Sequence, residues 1–189
     1  MIETLSLALG SSWASGLNLY AALSVMGLLQ YFDKIRLPES MAAIGEPVVI
    51  AVALFFYCIE FFADKIPLVD SLWDGLQGFV KIPAGAVLAA GSVYDVAPEY
   101  MLIAGLGGLG VAASSHLSNA SMRLAVNASP EPVSNIAASA GKDLTTVAGI
   151  WSAINYPWFF IAAFILWCTA LIIFWKKLSR KVSNYKQEN

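Results

Sequence analysis

Long apolar runs recur along the chain between short polar connections, and a bilayer-spanning helix needs about 20 mainly apolar residues. The cleanest run is 157–175 (PWFFIAAFILWCTALIIFW), polar only at Thr169, with aromatic rings at both ends where such rings favour the headgroup level. Lys176, Lys177, Arg180, Lys181 and Lys186 follow in a basic tail over 176–189, which the positive-inside tendency places on the cytoplasmic side. A second run, 47–62 (PVVIAVALFFYCIEFF), opens on Pro47 and carries Glu60 near its far end. Proline suits a first helical turn because the N–H it lacks has no helical partner there.

Two further runs are long enough to span yet polar in mid-segment. Residues 5–30 hold Ser11, Ser12, Ser15, Gly16, Asn18 and Ser24. Residues 101–126 hold Gly105, Gly107, Gly108, Gly110, Ser114, Ser115, His116, Ser118, Asn119, Ser121 and Arg123. Such groups are costly against lipid, so they face other helices or a polar cavity. Gly105 with Gly108, and Ser12 with Gly16, give the small-residue spacing of close helix contacts. Two weaker segments remain: 83–93, short and apolar, and 133–154, which carries Lys142 and Asp143. Between them, 67–81 has Leu68, Leu72, Leu76 and Phe79 near helical spacing, with Asp70, Asp74 and Gln77 elsewhere. That pattern predicts a helix lying in the headgroup plane.

Composition supports a lipid environment. The 189 residues are 58% hydrophobic and 13% charged, with a mean hydropathy of +0.68. Soluble domains run nearer ~45–50% apolar and ~25% charged. The fold class expected is an all-α integral membrane protein with about six spanning or part-spanning helices, forming a single membrane domain over 1–189. The first run has neither the basic start nor the cleavage site of a secretory signal, so it reads as a retained segment. An even number of crossings puts both termini on one side, with the 63–82 and 127–133 connections inside beside Lys65, Lys81 and Arg123. The 94–100 and 154–157 connections lack Lys and Arg and read as outside; Lys34 and Arg36 in 31–46 run against the trend. The membrane expected is the bacterial inner membrane.

The two halves, 1–98 and 99–176, echo each other. Asn18 and Asn119 each lie in a Ser/Gly-rich run, and Glu46-Pro47-Val48 is followed later by Glu131-Pro132-Val133. Acidic residues come next in both: Glu60 and Asp64, then Asp143. A duplicated three-helix unit would sit inverted in the bilayer, an arrangement that places sites where broken helices meet. Matches this short also arise by chance, and both readings stand.

The candidate chemistry is electrostatic. Glu60 and Asp64, four apart, share a helix face, beside Lys65, Asp70 and Asp74. Two carboxylates in a low-dielectric site cannot both ionise cheaply, the property a proton or cation site needs; pairing with Lys65 at the boundary is the alternative. His116, the lone histidine, serves either as a proton relay or as a packed hydrogen-bonding group. Arg123, one and two turns beyond Asn119 and His116, pairs with Glu60 or Asp64, holds an anion, or snorkels to headgroups. Ser129-Pro130-Glu131-Pro132, followed by Ser134 and Asn135, is a helix start that either cradles an anion or is a rigid turn. Ser15 and Asn18 line either a pathway or a packed crossing. Cys58 and Cys168 sit in apolar runs and act as small apolar residues. No metal site or cofactor is expected, no catalytic motif is present, and no basic stretch suits nucleic acid.

Three stretches resemble an uncharacterised bacterial membrane-protein family, domain of unknown function 4126: 10–20 (GSSWASGLNLY), 60–67 (EFFADKIP) continuing through Asp70, Trp73 and Asp74, and 116–123 (HLSNASMR) with 127–135 (NASPEPVSN). The resemblance covers nearly the whole chain. It implies no established activity; it marks these stretches as the ones that matter.

The function expected is a small inverted-repeat transporter or channel for an ion or small solute, proton-coupled in one version. Its pathway would be drawn from Glu60, Asp64, Lys65, His116, Asn119, Arg123, Ser15 and Asn18. The alternative is a non-transporting protein that binds lipid or organises partners. Membrane lipids and a second copy, in a dimer, are the partners expected. A water-accessible cavity between the two polar helices would favour transport, and dry packing of those helices would favour a structural role.

Overall fold

A computed structural model describes residues 1–66, 69–127 and 132–188, without the side chains of 71, 127, 132, 133, 178 and 181–188. All regular structure among the described residues is helical: α1 (Ile2–Tyr31), α2 (Pro47–Ala63), α3 (Val69–Tyr94), α4 (Met101–Asn127), α5 (Pro132–Asn155) and α6 (Pro157–Glu188), with 3-10 helices at Glu39–Gly45 and Pro98–Tyr100. Prolines open α2, α5 and α6, where the missing N–H has no helical partner. By length and composition four helices are able to cross a membrane: Ile2–Tyr31, Leu72–Tyr94, Pro98–Val126 and Pro157–Lys177. The Glu39–Gly45 and Pro47–Ala63 pair, bent by 63°, makes a fifth candidate.

Helix α1 is broken. Asn18 has φ −147° and ψ 93°, which separates a first limb from a second. In the first limb Ser12 Oγ lies 3.0 Å from the Gly85 carbonyl and Ser15 donates to the Lys81 carbonyl at 2.7 Å. This limb therefore starts beside the C-terminal end of α3 and descends antiparallel to it. After the break, Gly27 packs against the Ile44 carbonyl. One turn away, Met41 packs on Gly91, and Ser40 bonds the Gly91 carbonyl and Asp95. The second limb thus returns to the end it came from, and α1 is a V with Asn18 at its tip. A straight helix would carry Gly27 about 18 Å below Ser15, far from Gly91. Asp33, at φ 54°, ends the second limb in the left-handed conformation that Asp and Asn tolerate best after Gly.

This V changes the parity of the chain. The first limb begins beside the end of α5, where Ser6 donates to the Ala153 carbonyl at 2.8 Å, while α6 leaves that end and runs to the other. The expectation that both termini share a side assumed that the first run crosses. Folded back at Asn18, α1 has both its ends toward one end of the bundle, and the far end of α6 lies at the other.

Of the segment 67–81, residues 67 and 68 lie outside the described residues, and the rest is not a separate helix. Residues 69–81 form the first half of α3, which continues through Pro83. Leu72, Leu76 and Phe79 are exposed, while Asp70, Asp74, Gln77 and Lys81 are buried. The amphipathic pattern is inside-out: the apolar stripe faces outward toward lipid and the charged stripe faces the protein. Helix α5 follows the same rule, with Leu144 exposed and Lys142 and Asp143 buried. Because Pro83 has no N–H, the Phe79 carbonyl loses its helical donor, the usual effect of an internal proline.

Helices α1, α3 and α4 cross through small residues. A Cβ on Gly108 would lie 2.8 Å from both the Gly85 carbonyl and Ser12 Oγ, and Gly16 abuts the Ala112 backbone and Ser115. Close backbone approach of this kind is how membrane helices gain packing energy without a hydrophobic driving force. Helix α6 leans on α1 and α5, mainly through Trp13 against Phe160 and Trp167. Gly108→Val is expected to lower stability by about 1–3 kcal/mol through overpacking. Gly110→Ala, where nothing lies within 4 Å, is expected to be neutral. Thermal unfolding in detergent compares the two, and equal melting points would contradict the crossing described.

Candidate functional site: a buried charge network at the tip of the broken helix

A break inside a helix leaves carbonyls of the first limb and N–H groups of the second without helical partners. Lys81 Nζ lies 3.2 Å from the Leu17 carbonyl, at the partly negative end of the first limb. Asn18 Oδ1 accepts from the Ala21 N–H at 3.0 Å and so caps the second limb. The same Asn18 side chain donates from Nδ2 to Asp143 Oδ1 at 2.8 Å. The tip is therefore held by one cation from α3 and one carboxylate from α5.

From this tip a network of ion pairs runs toward the end of the bundle where α2 and α4 stop. Glu60 Oε1 receives Lys81 Nζ at 2.9 Å and Lys142 Nζ at 2.7 Å. Lys142 also reaches Asp64 Oδ2, at 2.5 Å. Arg123 spans three aspartates: Asp64 through Nη2 at 2.7 Å, Asp70 through Nη1 at 3.2 Å and Asp74 through Nε at 2.7 Å. Lys81 also sits 3.4 Å from Asp74. Every one of these side chains is at most 4% exposed. With Asp143 the buried set holds, among the described residues, five acids against three bases. A carboxylate or ammonium out of water is tolerated only when paired and hydrogen-bonded.

Carboxylate oxygens of Glu60, Asp64 and Asp74 lie within 4.8 Å of one another, close enough to ligate one ion. Each carboxylate already carries a lysine or arginine, so a divalent cation would have to displace positive charge. The donor set is that of an ion-pair network rather than a metal centre. Neutral polar groups line its edge. Asn119 Nδ2 donates to Asp74 Oδ2 at 3.0 Å. Among the described residues Asn119 Oδ1, Gln77 Oε1, Glu60 Oε2 and His116 Nδ1 have no hydrogen-bond partner. His116 is buried against α3, and a Cβ on Gly78 would lie 2.8 Å from its Nε2.

Of the residues singled out in the sequence, Glu60, Asp64, Asn119, Arg123 and Asn18 meet in this network, with His116 beside it and Ser15 one turn above on the Lys81 backbone. Lys65 does not join: its Nζ bonds the Phe61 carbonyl and sits over the Phe61 ring. Ser129 and Glu131 lie outside the described residues. Ser134 and Asn135 open α5; Asn135 is buried, its amide unpartnered among the described residues. Sequence reasoning passed over Lys81, Lys142, Asp143 and Tyr57 as site residues and left Asp70 and Asp74 as flanking charge. A signal was present in the 70/74/77/81 spacing, which puts charge on one helix face, and in the Lys142–Asp143 pair inside an otherwise apolar segment.

These features define an all-α, multi-pass membrane protein whose interior is charged and whose exterior is apolar. The chain belongs to the family described as a domain of unknown function, DUF4126, whose model matches residues 5–177. No curated protein and no solved structure matches.

Lys81→Met is expected to cost about 3–5 kcal/mol, the range for breaking a buried pair from one side. Adding Glu60→Gln should cost less than the two single changes summed, because each single change already removes the same Lys81–Glu60 pair. Denaturant unfolding in detergent gives the cycle, and strict additivity would show that the two do not interact.

Proposed function

We propose that this chain is a small transporter or channel for an ion or small solute, with the tip of α1 and its charge network as the working site. The observation that supports this most is the convergence of both limbs of a re-entrant helix on buried charges from α2, α3, α4 and α5. Non-helical backbone at membrane depth is tolerated only inside protein or along a cavity, and broken helices presenting their ends to an ion are a recurrent transport device. The network forms a polar path from Asp70 to Asn18, and the small-residue crossing at Gly16 and Gly108 closes it beyond. The site is occluded in this conformation, and transport requires α1 to move against α3 and α4.

The basic residues at the end of α6 support placing that end in the cytoplasm of a bacterium, with the N-terminus opposite. A second reading, a non-transporting protein that binds lipid or organises partners, is favoured by one observation: the Ser/Gly faces of α1 and α4 pack closely against each other. A groove of about 1060 Å³ between α4 and α6 is where this reading seats a lipid or a second copy.

Flux into liposomes separates the two. Reconstituted protein is expected to pass protons, a monovalent cation or a small anion. Glu60→Gln, Asp64→Asn and His116→Ala are expected to lower that flux about tenfold or more, equivalent to about 1.4 kcal/mol in the barrier. Flux that ignores all three changes would remove the network from the pathway. No flux for any of these ions would favour the second reading.

A further inference from the structure

Four of the five buried acids are held by cations: Glu60 by Lys81 and Lys142, Asp64 by Lys142 and Arg123, and Asp70 and Asp74 by Arg123. Asp143 differs. It is 8% exposed, and its two oxygens accept from neutral donors, Asn18 Nδ2 at 2.8 Å and the Tyr57 hydroxyl at 3.2 Å. Its neighbour in sequence, Lys142, turns away to Glu60 and Asp64. Lys65, beyond α2, acts on it only through space.

We propose that Asp143 is the group at which this protein takes up and releases a proton, which makes the proton its coupling ion. This identity of the ion rests on the reading of the network as a transport site. The reasoning is electrostatic. Among the described residues the network carries more acid than base, and uncompensated buried charge is expensive. Protonating Glu60, Asp64, Asp70 or Asp74 would give up at least one ion pair to a lysine or arginine. Protonating Asp143 relieves the excess and gives up no ion pair.

The step balances simply: a carboxylate and a proton become a carboxylic acid, and the new O–H donates to Tyr57 Oη, which then accepts. The bond from Asn18 loses its charge assistance, and bonds to an ionised acceptor are roughly twice as strong as neutral ones. The grip of α5 on the tip of α1 weakens on protonation and tightens on release. Tyr57 is half-buried on α2 and its hydroxyl is the bond partner of Asp143 that comes from that helix.

Infrared difference spectra of the purified full chain between acid and alkaline buffer test this. The wild type is expected to show a carboxylic-acid C=O band and, by potentiometric titration, to bind one more proton per chain than Asp143→Asn. Asp143→Glu should restore both. Tyr57→Phe, which keeps the acid, should shift the band and serves if Asp143→Asn does not fold. An unchanged band and proton count in Asp143→Asn, or a band that ignores Tyr57→Phe, would overturn the assignment. If the band is lost in Asp143→Asn while the wild type passes no ion into liposomes, the proton site stands and the transport reading falls.

Discussion

A helix broken within a membrane protein must find partners for the backbone groups it frees, because lipid supplies none. Here Lys81 on the Leu17 carbonyl and Asn18 on the Ala21 N–H meet that need, and most of the architecture follows from it. Lys81 has to be buried to reach the break, so it needs Glu60 and Asp74. Those acids exceed it in charge and draw in Lys142 and Arg123, which recruit Asp64 and Asp70 in turn. Helices α1 to α5 are thereby tied together through their polar and charged groups, and their apolar faces are left for lipid.

The cost of such an arrangement makes it informative. A buried ion pair seldom stabilises more than a packed apolar pair of the same volume. The close crossing of α1, α3 and α4 at Gly16, Gly85 and Gly108 shows that this chain has the means to pack without charge. Placing charge immediately below that crossing, around a break in the helix, gives a tip that is held by charge rather than by shape. Contacts of that kind respond to a proton or an ion, whereas close apolar packing does not.

Much of the fold was legible in the sequence, and the errors share one cause. The long runs, the proline starts at 47, 132 and 157 and the cost of polar residues facing lipid all led to the helices observed. The 67–81 segment misled because an amphipathic pattern has no sign: Leu72, Leu76 and Phe79 mark an apolar face, and only the surroundings decide whether it faces lipid or protein. The fold-back at Asn18 was hidden because its contacts, to Lys81, Ala21 and Asp143, are mostly long-range in sequence. Within the site, Glu60, Asp64 and Arg123 were visible as charges in apolar company. Lys81 was discounted because it ends a segment that read as lying in the headgroup plane, and Lys142 because its segment read as a weaker, part-spanning one.

The re-entrant path of α1 is the claim on which the site depends, and a distance between spin labels at Leu5 and Tyr31 tests it most directly. Both positions are exposed and tolerate a label. The V places them near the same end of the bundle, so pulsed dipolar spectroscopy in lipid should give a separation well short of a continuous helix. A value near the roughly 39 Å of an unbroken helix over that stretch would show that α1 crosses straight through, and the network would lose its tip.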